Sequence, residues 1–202
     1  TAKDGTVIGA GTDIGPMSLC YRKDLFEKAG LPTDREAVAK AVAGGWEDYL
    51  KLGEQYKKKA PSGTYFMDSA SAMYNAVVSS SSEQYYDADG KPVYKDSQSV
   101  KQGWDLAAEA AAKKLAQGLP QFTDAWNAAL RKGTVATVAC PAWMAGQISI
   151  NSGDSFKGKW DISRAPGSTA ANWGGSFLAV PKSGKHVKEA TELVKWLTAP
   201  EQ

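Results

Sequence analysis

Three aromatic residues stand where the chain could bring a flat apolar ring against a ligand: Tyr21 at the end of Met17-Ser18-Leu19-Cys20-Tyr21, Trp143 in Cys140-Pro141-Ala142-Trp143, and Trp173 directly before Gly174-Gly175. Indole and phenol rings stack on the C–H faces of sugars, but they also fill cores, and with seven Trp and eight Tyr in 202 residues composition leaves the two uses level. Tyr21 reads equally as a strand-core residue, Trp143 as packing under the next helix, and Trp173 as an interface residue. Two carboxylates beside predicted strands, Asp13 and Asp68, could accept several hydrogen bonds each from ligand hydroxyls. Asp13 could instead order its own turn, and Asp68 could cap the helix that follows it. The paired glycines let a backbone approach a ligand or a neighbouring strand closely, which makes Gly174 a further candidate.

Catalytic chemistry is poorly supported. The single histidine, His186, sits in Gly184-Lys185-His186-Val187 with no Cys or Ser motif to serve, and there is no Gly-x-Ser-x-Gly elbow, P-loop or His-Glu-x-x-His. Asp87, Asp89 and Gly90 resemble a calcium loop only faintly, lacking the full ligand series and the terminal Glu, and read as a plain turn. One His and no ligand cluster argue against a metal site, and nothing indicates a cofactor. A glycosidase needs only two carboxylates, so 22 acidic residues do not exclude one, though nothing in their spacing recommends it. The net charge of +2, with residues 57–59 as the longest basic run, gives no nucleic-acid footprint. No run reaches the roughly 18 apolar residues of a membrane span.

The elements that must hold these residues alternate. Residues 17–21 form a short apolar strand; Asp24 caps a short helix that Gly30 and Pro32 stop. Residues 33–45 form a loop with room for a helical turn. A helix from Gly45 to about Lys59 carries Trp46, Tyr49, Leu50, Gly53 and Tyr56 on one face. A strand over 64–67 leads to a helix over 70–80, capped by Asp68 or Ser69. Residues 85–94 give two extended runs around an Asp-Gly turn. Ser97 caps a long helix to about Gly118 with Trp104, Leu106 or Ala107, Ala111 and Leu115 on one face. A helix over 124–131, a buried strand over 135–140 and a helix beginning near Pro141 follow. Strands over 160–166 and 175–181 and a closing helix over 188–197, with Ala190, Leu193, Val194 and Leu197 inward, complete an α/β chain. An aromatic on the turn after a strand, as Trp143 is, points beyond the carboxyl edge of the sheet, where ligands of open α/β sheets collect.

Several of these segments, taken in order, resemble one family. The run Tyr21-Arg22-Lys23-Asp24-Leu25-Phe26-Glu27-Lys28-Ala29-Gly30-Leu31 is similar to the "Tyr-Asn-Lys-Asp-Leu-Phe-Lys-Lys-Ala-Gly-Leu" signature of the extracellular sugar-binding proteins of bacterial ABC importers, the maltose-binding-protein relatives. Gly45-Trp46-Glu47-Asp48-Tyr49-Leu50 resembles their "Thr-Trp-Asp-Glu-Leu" helix start, with Gly in place of Thr. The stretch from Trp126 to Trp143 resembles "Phe…Gly-Lys-Ala-Ala-Met…Gly-Pro-Trp", and Gly174 to Lys182 with the helix that follows resembles "Gly-Gly…Ala-Val-Pro-Lys" and its Glu-Leu-Val-Lys-Trp-Leu helix. The resemblance implies a type II periplasmic-binding-protein-like fold of two lobes. Here residues 1–160 would make most of the second lobe, 161–173 the interlobe crossover, and 174–202 a segment returning to a first lobe that it does not build alone.

The implied function is capture of a short oligosaccharide in an interlobe cleft for delivery to the membrane permease subunits of an ABC importer. The protein would be a monomer outside the cytoplasmic membrane or in the periplasm, lipid-anchored in its precursor. Tyr21, Trp143, Trp173, Gly174, Asp13 and Asp68 would contact the sugar. The alternatives are a secreted glycosidase and a non-sugar receptor of the same fold. In the family the strands ending in Cys20 and Cys140 share a lobe, so the resemblance makes a disulfide between them conceivable; two separate buried thiols are the other reading.

Overall fold

Strand β3 (Val135–Pro141) is buried along its whole length because it has a neighbour on either side. Strand β1 (Ala10–Arg22) pairs with it antiparallel, Ser18 opposite Cys140 and Cys20 opposite Val138. Strand β2 (Tyr65–Met67) pairs with it parallel, Tyr65 opposite Val135 and Met67 opposite Thr137. Strand β4 (Trp160–Arg164) lies antiparallel on the other edge of β1, giving the order β2-β3-β1-β4. This computed structural model describes residue 2 and residues 4–168 and 170–202.

The chain divides into two units, a larger one formed by Pro16–Asn172 and a smaller one formed by Thr1–Gly15 with Trp173–Gln202. The opening residues group with the C-terminal segment. The reason is local. β1 starts at Ala10 rather than near Met17, and β5 (Asn172–Leu178) pairs with it, the Thr12 hydroxyl donating to the Ser176 carbonyl at 3.1 Å.

In the larger unit the sheet is packed by helices α1 (Lys23–Lys28), α2 (Arg35–Ala41), α3 (Trp46–Lys59), α4 (Ala70–Ser79), α5 (Gln98–Ala112), α6 (Asp124–Lys132) and α7 (Ala142–Ser152). The aromatic stripe of α3 faces in as its spacing predicts: Trp46, Tyr49, Leu50, Gly53 and Tyr56 are all buried. Tyr49 and Tyr56 pack on Phe66 of β2 with ring centroids 4.7 and 5.8 Å away. The Tyr49 hydroxyl meets the Thr137 hydroxyl at 2.7 Å, so this polar end is satisfied inside the core.

Several local expectations are corrected. Asp24 lies in the first turn of α1, where its carboxylate accepts from Nε and a terminal nitrogen of the buried Arg22, both at 2.7 Å. The 33–45 loop contains α2, capped by Asp34. Helix α5 ends at Ala112, because the chain turns through left-handed Lys114 (φ 52°) to lie beside β2, Met67 bridging to Ala116. Its buried face is Gly103, Leu106 and Ala110, which leaves Trp104 69% exposed. In the smaller unit α8 (Val187–Leu197) has no buried residue, and Leu193 and Leu197 are exposed.

The turn from α6 into β3 needs glycine. Gly133 caps α6 in the left-handed region (φ 69°), and a Cβ there would run into the Phe156 ring and lie 2.8 Å from the Arg22 guanidinium. Cys20 and Cys140 are joined by a disulfide that ties β1 to β3 within the larger unit, their Cα atoms 5.8 Å apart.

Candidate functional site

Because β2 and β3 run parallel as neighbours, their carboxyl ends open on the same edge of the sheet. Asp68 and Ser69 leave β2 there and lead into α4; Pro141 ends β3 there and leads into α7. Pro141, extended at φ −69° and ψ 160°, precedes the helix, so Trp143 falls in the first turn of α7, half-buried at the sheet edge.

The loop between α5 and α6 closes this edge, and Asp68 organises it. The Gly118 and Leu119 N–H groups both donate to the Asp68 carbonyl at 3.1 Å, and Gln117 N–H donates to the Met67 carbonyl at 2.9 Å. The Asp68 side chain is 1% exposed. Its Oδ2 accepts from Gln121 Nε2 and from Trp126 Nε1, each at 2.8 Å, and Oδ1 accepts from the Ser69 N–H at 2.8 Å. Burial pushes the carboxyl up to about 6 against the pull of these donors, which leaves it ionised at neutral pH. Asp68 is therefore committed to holding the loop, with both oxygens engaged by the protein.

What the loop presents is Phe122. Its ring is 52% exposed, lies 5.8 Å from Trp143 at an interplanar angle of 29°, and touches the fully buried Trp126 at 5.5 Å. Thr123 caps α6 immediately after it, its hydroxyl accepting from the Trp126 N–H and donating to the Pro120 carbonyl. The result is an aromatic row running from the buried Trp126 through Phe122 to Trp143, at the carboxyl edge of two parallel strands. Sequence reasoning passed over Phe122 and Gln121. The available signal was an aromatic placed between the helix-stopping Gly118 and Pro120 and the helix-capping Thr123, a position with no periodic face to bury it.

The other expected residues fall elsewhere. Tyr21 is fully buried, its ring 5.2 Å from Phe26 and its hydroxyl donating to the Thr33 carbonyl at 2.8 Å; burial pushes the phenol up to about 12. No ring face is left for a ligand in this arrangement. Asp13, Trp173 and Gly174 belong to the smaller unit. Asp13 lies within β1, not in a loop, with its side exposed; Trp173 is half-buried and Gly174 exposed on β5. The close approach expected of the glycine pair is made by Gly175 (φ 116°), where a Cβ would sit 3.0 Å from the Asp13 carbonyl oxygen.

A hollow of about 590 Å³ lies on the far half of α7, lined by Ile148, Ser152, Asp154, Phe156, Trp160 and Arg35 among others. Arg35 and Asp161 there engage each other at 2.6 Å, and the hollow is away from the strand ends, so it is the weaker candidate. Among the described residues no group of three metal-ligating side chains comes together, and no helix is long and apolar enough to cross a membrane.

A family described as bacterial extracellular solute-binding protein matches residues 1–202. The arabinooligosaccharide-binding protein of Bacillus subtilis (strain 168) is 28% identical across the whole chain, which covers 46% of that relative. A solved extracellular solute-binding protein of family 1 is 42% identical with a TM-score of 0.87, over 100% of this chain and 51% of that one. The galacto-N-biose/lacto-N-biose I-binding protein of an ABC transporter from Bifidobacterium longum, solved with lacto-N-biose, is 22% identical with a TM-score of 0.78 over 97% of this chain and 49% of that one, a likeness of fold. The fold is thus the type II periplasmic-binding-protein-like one, in part. The chain spans about half the length of the curated relatives it matches.

Proposed function

The chain belongs to the bacterial extracellular solute-binding proteins, and on that premise we propose that it forms most of the second lobe of a receptor that captures a short oligosaccharide outside the cytoplasmic membrane and delivers it to an ABC permease. The observation that carries this reading is Trp143, half-buried in the first turn of α7 at the shared carboxyl edge of β2 and β3. A ring held at that edge offers a sugar an apolar face, while hydroxyls are met by polar groups around it. Trp173, Gly174 and Asp13, which belong to the smaller unit, are proposed as further ligand contacts. Tyr21 and Asp68 are assigned to support instead, because neither has a face or an oxygen left for a ligand.

Two curated relatives are named as arabinooligosaccharide-binding proteins, and this protein is proposed to bind without turnover. Arabino-oligosaccharides are the first ligands to test, given the two curated relatives of that name. The proposed mechanism is closure of two lobes, with the bound sugar stabilising the closed state through contacts to both. The precursor would be lipid-anchored and the mature protein monomeric. Replacing Trp143 by Ala in the intact protein is expected to weaken sugar binding at least about tenfold, near 1.4 kcal/mol, by calorimetric titration. Unchanged affinity in that variant would remove Trp143 from the site.

A further inference from the structure

We infer that the groove between α4 and α5, walled by Trp104 and Tyr74, is an outlying subsite that holds the far units of a longer oligosaccharide whose near units lie at the Trp143 edge. This rests on the oligosaccharide reading above.

The groove has a volume of about 450 Å³ and is lined by Ser71 and Tyr74 of α4 and by Trp104, Ala107, Ala108 and Ala111 of α5. Its inner end lies at the carboxyl edge of β2, where the candidate site is. Ser71 is in the first turn of α4, directly after the chain leaves β2, and its hydroxyl meets that of the buried Ser69 at 2.7 Å. Ala111 is at the end of α5, just before the chain turns to lie beside β2. From Ala111 to Trp104 is about 10 Å of helix, so the groove leads away from the edge over a length that a chain of linked sugars spans.

The wall is held in place by its neighbours. Gly103 is a poor residue for the middle of a helix, and what it permits is close approach of α5 to α4: a Cβ there would lie 3.0 Å from both the Tyr74 ring and Val78. The Tyr74 hydroxyl accepts from that of Tyr85 at 3.2 Å, so the ring is fixed at both ends. A ring so held loses little freedom on binding, which favours affinity.

The lining sets the ligand class. It carries no charge, so a charged partner finds nothing in it to pair with. The Trp104 indole is 69% exposed, and the residues three, four and seven positions further along α5 are all alanine, too small to cover it. An indole, a phenol ring and a serine hydroxyl suit a neutral ligand that presents apolar C–H faces and hydroxyls together.

The test is calorimetric titration of the intact protein with the arabino-, xylo-, cello- and malto- series, each from the disaccharide to the hexasaccharide, with sedimentation of the unliganded protein. In the wild type, affinity in the series that binds is expected to rise at least about fivefold from the shortest ligand bound to the longest. Two variants at exposed positions probe the groove: Trp104→Ala, and Ala108→Arg, which places a long side chain in it. Both should lose most of that rise while melting within a few degrees of the wild type, and Trp104→Tyr should keep most of it. No rise in the wild type, or a rise that survives both variants, overturns the subsite and leaves the oligosaccharide reading standing. A wild-type dimer that Trp104→Ala dissociates would give the groove to a second copy of this chain and overturns the subsite as well. Absence of binding by the wild type to every series overturns both together.

Discussion

Asp68 holds the loop between α5 and α6 through both its carboxylate and its carbonyl oxygen. As a carboxylate after a strand it could contact a sugar or cap a helix. Folded, it is buried and accepts from Ser69, Gln121 and Trp126. Three donors converge on it, so Asp68→Asn would set an amide N–H₂ against a donor and cost about 1–3 kcal/mol. The pH dependence has a definite sign. With its carboxyl at about 6 in the fold and about 3.9 unfolded, the folded protein binds this proton more tightly. The stability it contributes is fully present below about pH 4 and is lost as pH rises through about 6, at most about 3 kcal/mol. Urea melts should therefore show Asp68→Asn penalised more at about pH 4.5 than at about pH 7.5; a penalty independent of pH would contradict the assignment. No feature of the local sequence announces this network, because Gln121 and Trp126 are brought to Asp68 by the chain reversal after α5. Trp143 was legible for the opposite reason: its position follows from a strand, a proline and a helix adjacent in sequence.

Among the elements, the ones read well were those whose periodicity is complete within a single segment. The stripe of α3 and the apolar run of β3 each need only one buried face or one buried strand to be recognised. The face of α5 is only partly legible, because alanines on every side leave it ambiguous: Leu106 is buried as expected, while packing buries Ala110 and leaves Trp104 exposed. The first half of β1 is not legible as a strand, because it is rich in Gly, Thr and Asp and becomes a strand through its pairing with β5. Two predictions belong here. Gly133→Ala should destabilise by more than about 1 kcal/mol, since the residue is left-handed and its Cβ would meet Phe156 and Arg22; a melting temperature unchanged from wild type would contradict it. The Cys20–Cys140 bridge spans 120 residues of sequence, so reducing it, or replacing both cysteines by Ala, should cost about 2–4 kcal/mol. A free-thiol count on denatured, unreduced protein checks the bond itself: none is expected, and two would refute it.

At the scale of the whole molecule, the proposed ligand is neutral, in keeping with a candidate site built from rings. Sugar affinity should then change by less than about twofold between about 0.05 and 0.5 M salt, and a steep salt dependence would point to a charged solute. The fold class was legible from the alternation of strands and helices, and the family from the order of its motifs. The division of the chain was harder to read, because the segments that share the smaller unit lie at opposite ends of the sequence and are joined by pairing, which no local pattern records. The most direct test of the central claim is titration of the intact protein with arabino-, xylo-, cello- and malto-oligosaccharides, with the sugar recovered and analysed afterwards. Capture predicts saturable binding to one series and its return unchanged. Hydrolysed sugar, or no binding to any series, would contradict it.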